Sequence, residues 1–340
     1  MEGNQPPGSV REGWDSSSKQ SVFRLIHKLT EFVRDDDLLE CKANQKLRNR
    51  MFRLLGTLGA ELDLRLRDPA NRYSVEKSMQ SLAGLFSHPD IGINFAKLRN
   101  ATCIEFGCGG LNPGGGSMAM LLAGAKHVIA LDLDDIQSFG CAARSMYAVF
   151  GAAVTRTCNP PIPGTADQIL ERVDSFDWNL LASGDLRGVD SKRLAYIQKP
   201  ISQAGIASAS ADILVSSSVF EHLAEPDEII KEMARIVRPG GLCMHAIDGV
   251  DHRSYNNKEV DDLEFLKDGS NAQLLFGCNR VRPLAFQRMF EEHGFEVRAI
   301  RQGEVRQLTD EAVQRFAPQF RELPRRHLEV LRARFYLRRR

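Results

Sequence analysis

A glycine-rich loop constrains the fold of this chain more than any other feature of the sequence. The short run Cys103–Phe106 leads into a loop with six glycines between residues 107 and 116, and a stretch of small residues follows from Ser117. Glycine accepts positive φ and lets a ligand approach the main chain. In an open α/β sheet such a loop lies at the carboxyl edge, where ligands bind. The loop therefore predicts a ligand site, with a purely structural turn as the alternative.

Apolar runs typical of strands alternate with helical patterns from about residue 100 onwards. This alternation predicts a mostly parallel sheet covered by helices on both sides. The period-two segment Leu331–Leu337 predicts a last strand with one buried face and arginines on a solvated face. The other predicted strands are Ala101–Phe106, His127–Leu133, Leu180–Leu186, Ala211–Ser217, Leu242–Ile247 and Phe295–Arg301.

The region before residue 96 has a different texture. Residues 1–20 are polar and rich in Pro, Gly and Ser, which predicts a disordered tail. Apolar residues at helical spacing predict two amphipathic helices in 21–66 and a third over Val75–Phe86. We therefore divide the chain into an N-terminal helical extension, 21–95, and one α/β domain, 96–340. The extension could form a lid over the ligand edge or pack as an appendage.

The composition is that of an ordinary globular protein, with 43% hydrophobic and 26% charged residues. A net charge of +1 argues against a dedicated nucleic-acid or membrane-surface binder. The longest clean apolar stretch, Met118–Ala125, has 8 residues, whereas a membrane span needs about 20. The N-terminus lacks the apolar segment of a signal peptide. Seven cysteines without CxxC spacing predict a reduced, cytoplasmic protein without a zinc cluster.

A second strand ends in Asp132, and an acid at this position can accept hydrogen bonds from the ribose hydroxyls of an adenosine. Gly107 and Gly109 match the first glycines of the dinucleotide fingerprint G-x-G-x-x-G, but Asn112 takes the third place. Asp132 also lies 25 residues after Gly107, farther than the usual spacing of about 20. A nicotinamide-dependent oxidoreductase is therefore the weaker of two interpretations.

Four motifs between about residues 100 and 301 resemble class I S-adenosylmethionine-dependent methyltransferases. Glu105, with the two glycines after it, is similar to the family's E/D-x-G-x-G opening. The family often has a third glycine where Leu111 stands. The other three motifs are Asp212–Leu223, similar to the fourth strand and its Glu-His turn, Arg238–Gly241, similar to the turn into the fifth strand, and Gly184-Asp185, placed at the end of the third strand.

This resemblance implies a doubly wound, seven-stranded, mostly parallel sheet of the Rossmann-like methyltransferase type, with an antiparallel final strand. It also implies S-adenosylmethionine as methyl donor. Glu105 would help to hold the ammonium group of the donor, Asp132 its ribose and Asp185 its adenine amino group. The residues expected around the donor are Glu105, Gly107, Cys108, Gly109, Asp132, Asp134, Asp185, Ser217 and His222.

The acceptor side offers a candidate base just after the fifth strand. Methyl transfer depends mainly on alignment of the acceptor, and a hydroxyl acceptor also needs a base. We predict His252 as this base, with Asp248 or Asp251 orienting its ring; a solvated polar turn is the alternative. With His245 these residues could also bind a metal. However, His245 and Asp248 start on opposite faces of a strand, so no metal site is predicted.

The long connection 253–283 could form one wall of the acceptor pocket, because connections of this length usually carry function or disorder. The sequence therefore predicts a methyltransferase that acts on oxygen of a small molecule or glycan, without nucleic-acid or integral membrane contacts. The alternatives are the oxidoreductase and a non-catalytic protein that binds S-adenosylmethionine. Oligomeric state is not predicted.

Overall fold

A computed structural model describes residues 75–88, 91–109, 114–136, 139–155, 158 and 161–340. The predicted tail 1–20 and the two predicted helices of 21–66 lie outside these residues. The predicted third helix is present as Val75–Leu85, one residue shorter than expected. No helix in the described ranges is long and apolar enough to cross a membrane.

Seven strands form one sheet in the order β3-β2-β1-β4-β5-β7-β6. Neighbouring strands are parallel except that β7 is antiparallel to both β5 and β6. The predicted doubly wound, mostly parallel sheet with an antiparallel final strand is therefore confirmed. The strands are β1 (Thr102–Phe106), β2 (His127–Asp132), β3 (Leu194–Gln198), β4 (Ala211–Ser217), β5 (Val237–Asp248), β6 (Phe295–Gln302) and β7 (Arg332–Arg339).

Helices cover both faces of this sheet. Adjacent strand residues contribute to opposite apolar clusters, as Cys103 and Ile104 do, because side chains alternate along a strand. One cluster joins the sheet to α1, α2 and α3, and the other joins it to α6 and α7. The helices are α1 (Val75–Leu85), α2 (Gly115–Leu122), α3 (Phe139–Thr155), α4 (Ala166–Glu171), α5 (Trp178–Ser183), α6 (Pro226–Ile236), α7 (Phe286–Glu292), α8 (Asp310–Gln314), α9 (Pro318–Arg321) and α10 (Arg325–Glu329).

The predicted strand over Leu180–Leu186 is wrong. Asp177 caps the start of α5 through hydrogen bonds from two backbone N–H groups, and Gly184 ends the helix at φ 90°. These are helix start and stop signals, and they override the short apolar run between them. The third strand of the sheet is β3 instead, so Asp185 does not end a strand.

The predicted solvated arginine face of the last strand is only partly correct. Tyr336 lies on that face, is fully buried, and donates a hydrogen bond from its hydroxyl to the carbonyl of Gly84 at 3.2 Å. Arg334 packs close to the same glycine. Helix α1 therefore covers part of the face that the arginines were expected to present to solvent.

Candidate functional site

The loop after β1 needs glycine at position 107 for two reasons. Its φ is +74°, in the region that L side chains rarely adopt, and a Cβ atom there would collide with the side chain of Val219. The Gly107 N–H donates to the carbonyl of Leu131 on β2 at 2.8 Å. The loop is thus fixed between the carboxyl ends of β2 and β4.

Gly109 has the same backbone conformation in a different setting. Its φ is +78°, but a Cβ atom at this position would meet no atom of the described residues within 4 Å. Its N–H donates to Oδ2 of Asp132 at 2.5 Å. The loop therefore directs a backbone donor at the carboxylate that ends β2.

Backbone donors hold the carboxylate of Asp132. Oδ1 accepts hydrogen bonds from the N–H groups of Leu133 at 2.7 Å and Asp134 at 3.0 Å, in addition to the Gly109 bond to Oδ2. A carboxylate has about four acceptor sites, so about one remains for a ligand. The structure thus brings Gly109 and Asp132 together as predicted, and Asp134 contributes its backbone N–H at the same place.

Glu105 lies on β1 beneath the start of α2. Its Oε2 accepts a hydrogen bond from the hydroxyl of Ser117, and a Cβ atom at Gly116 would collide with Oε1. Burial raises the pKa of Glu105 to about 7, against the opposing effect of the Ser117 hydrogen bond. The first turn of a helix also favours a negative charge. This carboxyl group is therefore poised between its neutral and charged forms near neutral pH.

Two further residues expected at the donor site flank the loop. Cys108 is partly exposed, and burial of its thiol raises its pKa far above the usual value, so the thiol stays protonated. Ser217 ends β4, and its hydroxyl accepts a hydrogen bond from Ser81 of α1 at 3.2 Å. Helix α1 thereby reaches the carboxyl edge of the sheet.

Asp185 follows α5 and begins a short 3-10 turn, Leu186–Gly188. Its carboxylate accepts hydrogen bonds from the backbone N–H of Arg187 at 2.9 Å and from Nε of the same residue at 2.8 Å. These bonds lower the pKa of Asp185. It lines an open cleft of about 640 Å³ together with Phe139, the first residue of the helix after β2.

Two exposed apolar side chains follow Asp132 and were missed in the sequence. Leu133 is 66% exposed and Phe139 is 64% exposed. Single exposed apolar side chains are common on protein surfaces, so these two are of interest only because they lie close to Asp132 and Asp185. An apolar residue directly after a strand-ending acid is the sequence signal that could have identified Leu133.

His222, which was expected around the donor, lies beside His252, the base expected on the acceptor side. His222 lies in the 3-10 turn Phe220–His222 after β4, and His252 begins the turn His252–Tyr255 after β5. Their ring centroids are 4.8 Å apart, and His252 also stacks on Tyr255 at 5.1 Å. Burial and the neighbouring His222 ring lower the pKa of His252. Its imidazole is therefore neutral near pH 7.

Neither Asp248 nor Asp251 accepts a hydrogen bond from His252 within the part of the chain that the structure describes. Asp248 accepts from the hydroxyl of Tyr255 and from Nε of Arg332 at 3.1 Å. Asp251 is fully buried and forms an ion pair of 2.6 Å with Arg253. These carboxylates bind other partners, so the expected orienting contact to the His252 ring is missing.

His245, weighed above as a metal ligand, lies apart from this site. Its ring is fully buried on β5, its Nδ1 is 2.8 Å from the hydroxyl of Ser216, and it stacks on Phe290. Burial lowers its pKa to about 3. His245 therefore packs as a neutral core residue.

Glu221 is a buried acid between the donor side and the acceptor side of the site. It is 3% exposed, and interactions with nearby backbone N–H groups and the Ser218 hydroxyl only partly offset the effect of its burial. Burial raises its pKa to about 8, and the charge of nearby Asp248 adds to this effect. Glu221 is therefore a neutral carboxylic acid at neutral pH.

A third residue beside the two histidines was missed in the sequence. Cys278 is buried, and its sulfur and one ring nitrogen each of His222 and His252 all lie within 4.8 Å of one another. No spacing signal could have identified this group, because its members are separated by 30 and 26 residues.

Comparisons with known proteins agree with this fold. Residues 174–245 match the family model described as a methyltransferase domain. An uncharacterized methyltransferase of Mycobacteroides abscessus is 38% identical over 58 residues, which is 17% of this chain and 22% of the relative. The match thus spans about a fifth of that relative's length.

Solved structures with a similar fold have low sequence identity. An S-adenosylmethionine dependent methyltransferase from Mesorhizobium loti is 14% identical, with 72% of this chain and 93% of that chain covered and a TM-score of 0.37. The geranyl diphosphate C-methyltransferase from Streptomyces coelicolor is 11% identical, with 77% and 78% covered and a TM-score of 0.41. That enzyme was solved with Mg²⁺, geranyl diphosphate and S-adenosyl-L-homocysteine.

The order of the strands in the sheet argues against the alternative interpretation, a nicotinamide-dependent oxidoreductase. A dinucleotide-binding sheet typically has the strand order 3-2-1-4-5-6. Here an antiparallel β7 stands between β5 and β6. The match to a methyltransferase domain over residues 174–245 and this topology both agree with the resemblance to class I S-adenosylmethionine-dependent methyltransferases.

Proposed function

We propose that this chain transfers a methyl group from S-adenosylmethionine to an acceptor bound at the carboxyl edge of the sheet. The observation that carries this proposal is the pairing of the open Gly109 backbone with the carboxylate of Asp132 at 2.5 Å. An adenosine ligand needs this combination of close approach to the main chain and a fixed acceptor for its ribose hydroxyls.

The residues around this pair fit the other parts of the donor. Glu105 supplies a carboxyl group for the ammonium end. Exposed Leu133 and Phe139 supply apolar surface for the adenine ring. When bound, S-adenosylmethionine supplies an electrophilic methyl group on its sulfonium, so the protein has to bind it, orient the acceptor and handle the acceptor proton.

The proposal extends to O-methylation of a small molecule or glycan, with His252 as the base. Its Nε2 is buried and has no hydrogen-bond partner among the described residues, so an acceptor hydroxyl that reaches this nitrogen would meet no competing hydrogen bond from them. Tyr255 supports the ring by stacking. A neutral imidazole in this position can take the proton of a hydroxyl group while the methyl group is transferred.

Calorimetric titration with S-adenosylhomocysteine and, separately, with NAD⁺ tests the donor assignment. We expect one S-adenosylhomocysteine to bind per chain and no heat from NAD⁺. Binding of NAD⁺ in place of S-adenosylhomocysteine would reject the proposal in favour of an oxidoreductase.

Replacement of Asp132 by alanine should weaken S-adenosylhomocysteine binding by about 1.5–3 kcal/mol, which is roughly 10- to 150-fold in Kd. The reason is the loss of hydrogen bonds to a charged acceptor, together with the loop contact from Gly109. Asp132→Asn keeps one acceptor oxygen, so its affinity for S-adenosylhomocysteine should lie between those of the wild type and Asp132→Ala. If Asp134→Ala shows the loss instead, the ribose contact belongs to Asp134.

Donor affinity should rise with pH because of Glu105. Its pKa of about 7 means that the carboxylate, which attracts the donor's ammonium group, forms only as the pH rises through that value. Affinity for S-adenosylhomocysteine should increase about tenfold from pH 6 to pH 8 and then level off. Calorimetry on wild type and Glu105→Gln checks this. An equal pH dependence in the variant, whose amide cannot titrate, would assign the effect to another group.

A further inference from the structure

The side chains of His222, His252 and Cys278, which we call the HHC cluster, bring two imidazoles and one thiol together at the acceptor edge. One ligand atom from each lies within 4.8 Å of the other two. The sulfur is on the buried side and His222 is on the exposed side. This combination of soft sulfur and imidazole nitrogen is the donor set that zinc-class metal ions prefer.

A hydrogen bond fixes the tautomer of His222. Its Nδ1 is 2.7 Å from the carbonyl oxygen of Gly277, which can only accept a hydrogen bond. Nδ1 therefore carries the proton, and the lone pair is on Nε2. Metal-binding histidines commonly donate their second ring N–H to a carbonyl in this way. The Nε2 of His252 is likewise buried without a hydrogen-bond partner among the described residues.

A tight turn presents Cys278 to the histidines. Leu275 and Cys278 exchange backbone hydrogen bonds of 2.8 and 3.0 Å. The two residues between them, Phe276 and Gly277, have φ values of +52° and +80°. A phenylalanine rarely adopts this conformation, and such outliers persist only where the surrounding structure fixes them. The turn therefore holds both the Cys278 sulfur and the carbonyl that orients His222.

Asn279 fastens this turn to the segment that carries His222. Its side-chain amide donates to the carbonyls of Phe220 at 2.7 Å and Leu223 at 2.8 Å. Its backbone N–H donates to the carbonyl of Glu221 at 2.7 Å. Two of the three members of the HHC cluster are thus positioned by hydrogen bonds that do not involve a ligand.

We propose that the HHC cluster binds one divalent metal ion of the zinc class. Tetrahedral zinc with nitrogen and sulfur ligands separates these atoms by about 3.3–3.6 Å, so the cluster has to contract by roughly 1 Å around the ion. Three protein ligands leave a fourth coordination position open, which is the arrangement of catalytic rather than structural zinc sites. The sequence predicted no metal site, but that prediction concerned a set of residues other than the HHC cluster.

This site stands on the geometry of the cluster and does not rest on the proposed methyl transfer. Its chemistry would still affect that reaction. An ion would occupy a lone pair of His252, so the base role proposed above for this imidazole would apply to the metal-free protein. The open coordination position could then bind the acceptor oxygen as its anion, because a bound metal ion lowers the pKa of an oxygen ligand.

Titration of chelator-treated, full-length protein with Co²⁺ tests the site. We expect one Co²⁺ per chain, with visible d–d bands and a thiolate-to-cobalt band in the near ultraviolet. Cys278→Ser should remove the thiolate band, and Cys278→Ser and His222→Ala should each weaken binding at least about 100-fold. Asn279→Ala, which loosens the turn, should weaken binding about 10-fold. The matched controls Cys243→Ala and His293→Ala should bind Co²⁺ like the wild type.

Absence of Co²⁺ binding by folded wild-type protein would overturn the proposal, and so would a thiolate band that persists in Cys278→Ser. Thermal unfolding shows whether each variant is folded. If Cys278→Ser is not, the exposed His222→Ala decides the outcome alone. S-adenosylhomocysteine titrations of the same proteins separate the two proposals, since donor binding without Co²⁺ binding would reject only the metal site.

Discussion

Gly109→Val should give a folded protein that no longer binds S-adenosylhomocysteine. A Cβ atom at Gly109 would meet no atom of the residues that the structure describes within 4 Å, so no collision with those residues is expected. The positive φ of +78° adds a strain of roughly 1–2 kcal/mol, which a domain of this size can tolerate. The branched side chain would fill the space beside Asp132 where the donor has to approach the main chain.

Gly107→Val is the matched control for this prediction. It makes the same change at the same type of backbone conformation, but its side chain would collide with Val219. We expect this variant to lose much more stability than Gly109→Val, which should stay folded and lose donor affinity. Thermal unfolding and calorimetry on both variants measure the two effects. Undiminished donor binding by folded Gly109→Val would show that this glycine serves only to form the turn.

His252→Ala should lower the rate of methyl transfer by about a hundredfold to ten-thousandfold, the usual range for a lost general base. Donor affinity should remain near the wild-type value, because the ring of His252 contacts His222 and Tyr255 rather than the loop after β1. Single-turnover rates with saturating donor and an identified acceptor provide the measurement, and chelator-treated protein keeps metal effects out of it.

His222→Ala distinguishes a base from a metal ligand. In metal-free protein this variant should keep most of the wild-type rate, because its ring only neighbours His252. Full activity of His252→Ala would show that this residue does no more than line the pocket. If His222→Ala and His252→Ala lost equal fractions of the transfer rate, the two rings would act together on the acceptor, and neither alone would be the base.

The juxtaposition of the glycine loop with the acid that ends β2 could be predicted from the sequence because its signals are local. The glycines of the loop and the acid ending β2 each stand within a few residues of the strand that positions them. Parallel strands place their carboxyl ends at one edge, so residues such as Gly109 and Asp132 are brought together by the topology itself. The mostly parallel sheet followed from the alternation of strand and helix patterns, and its antiparallel final strand was implied by the family resemblance.

The acceptor side could not be predicted in the same way because its contacts are long-range. Asp248 binds Arg332, a residue 84 positions later, and not the nearby His252. Cys278 reaches the histidines only because Asn279 fastens the turn to the backbone around Glu221. The mistaken third strand has another origin, since the capping residues Asp177 and Gly184 outweighed an apolar run of only a few residues.

The transfer of labelled methyl groups from S-adenosylmethionine tests the central claim most directly. Wild-type protein and Gly109→Val are incubated with the labelled donor and with separate small-molecule, glycan, nucleic-acid and protein fractions of a cell extract. The account predicts label in a small-molecule or glycan product, with matching formation of S-adenosylhomocysteine, and neither with the variant. Donor binding by the wild type without transfer of label to any fraction would contradict it and indicate a protein that binds S-adenosylmethionine without catalysis.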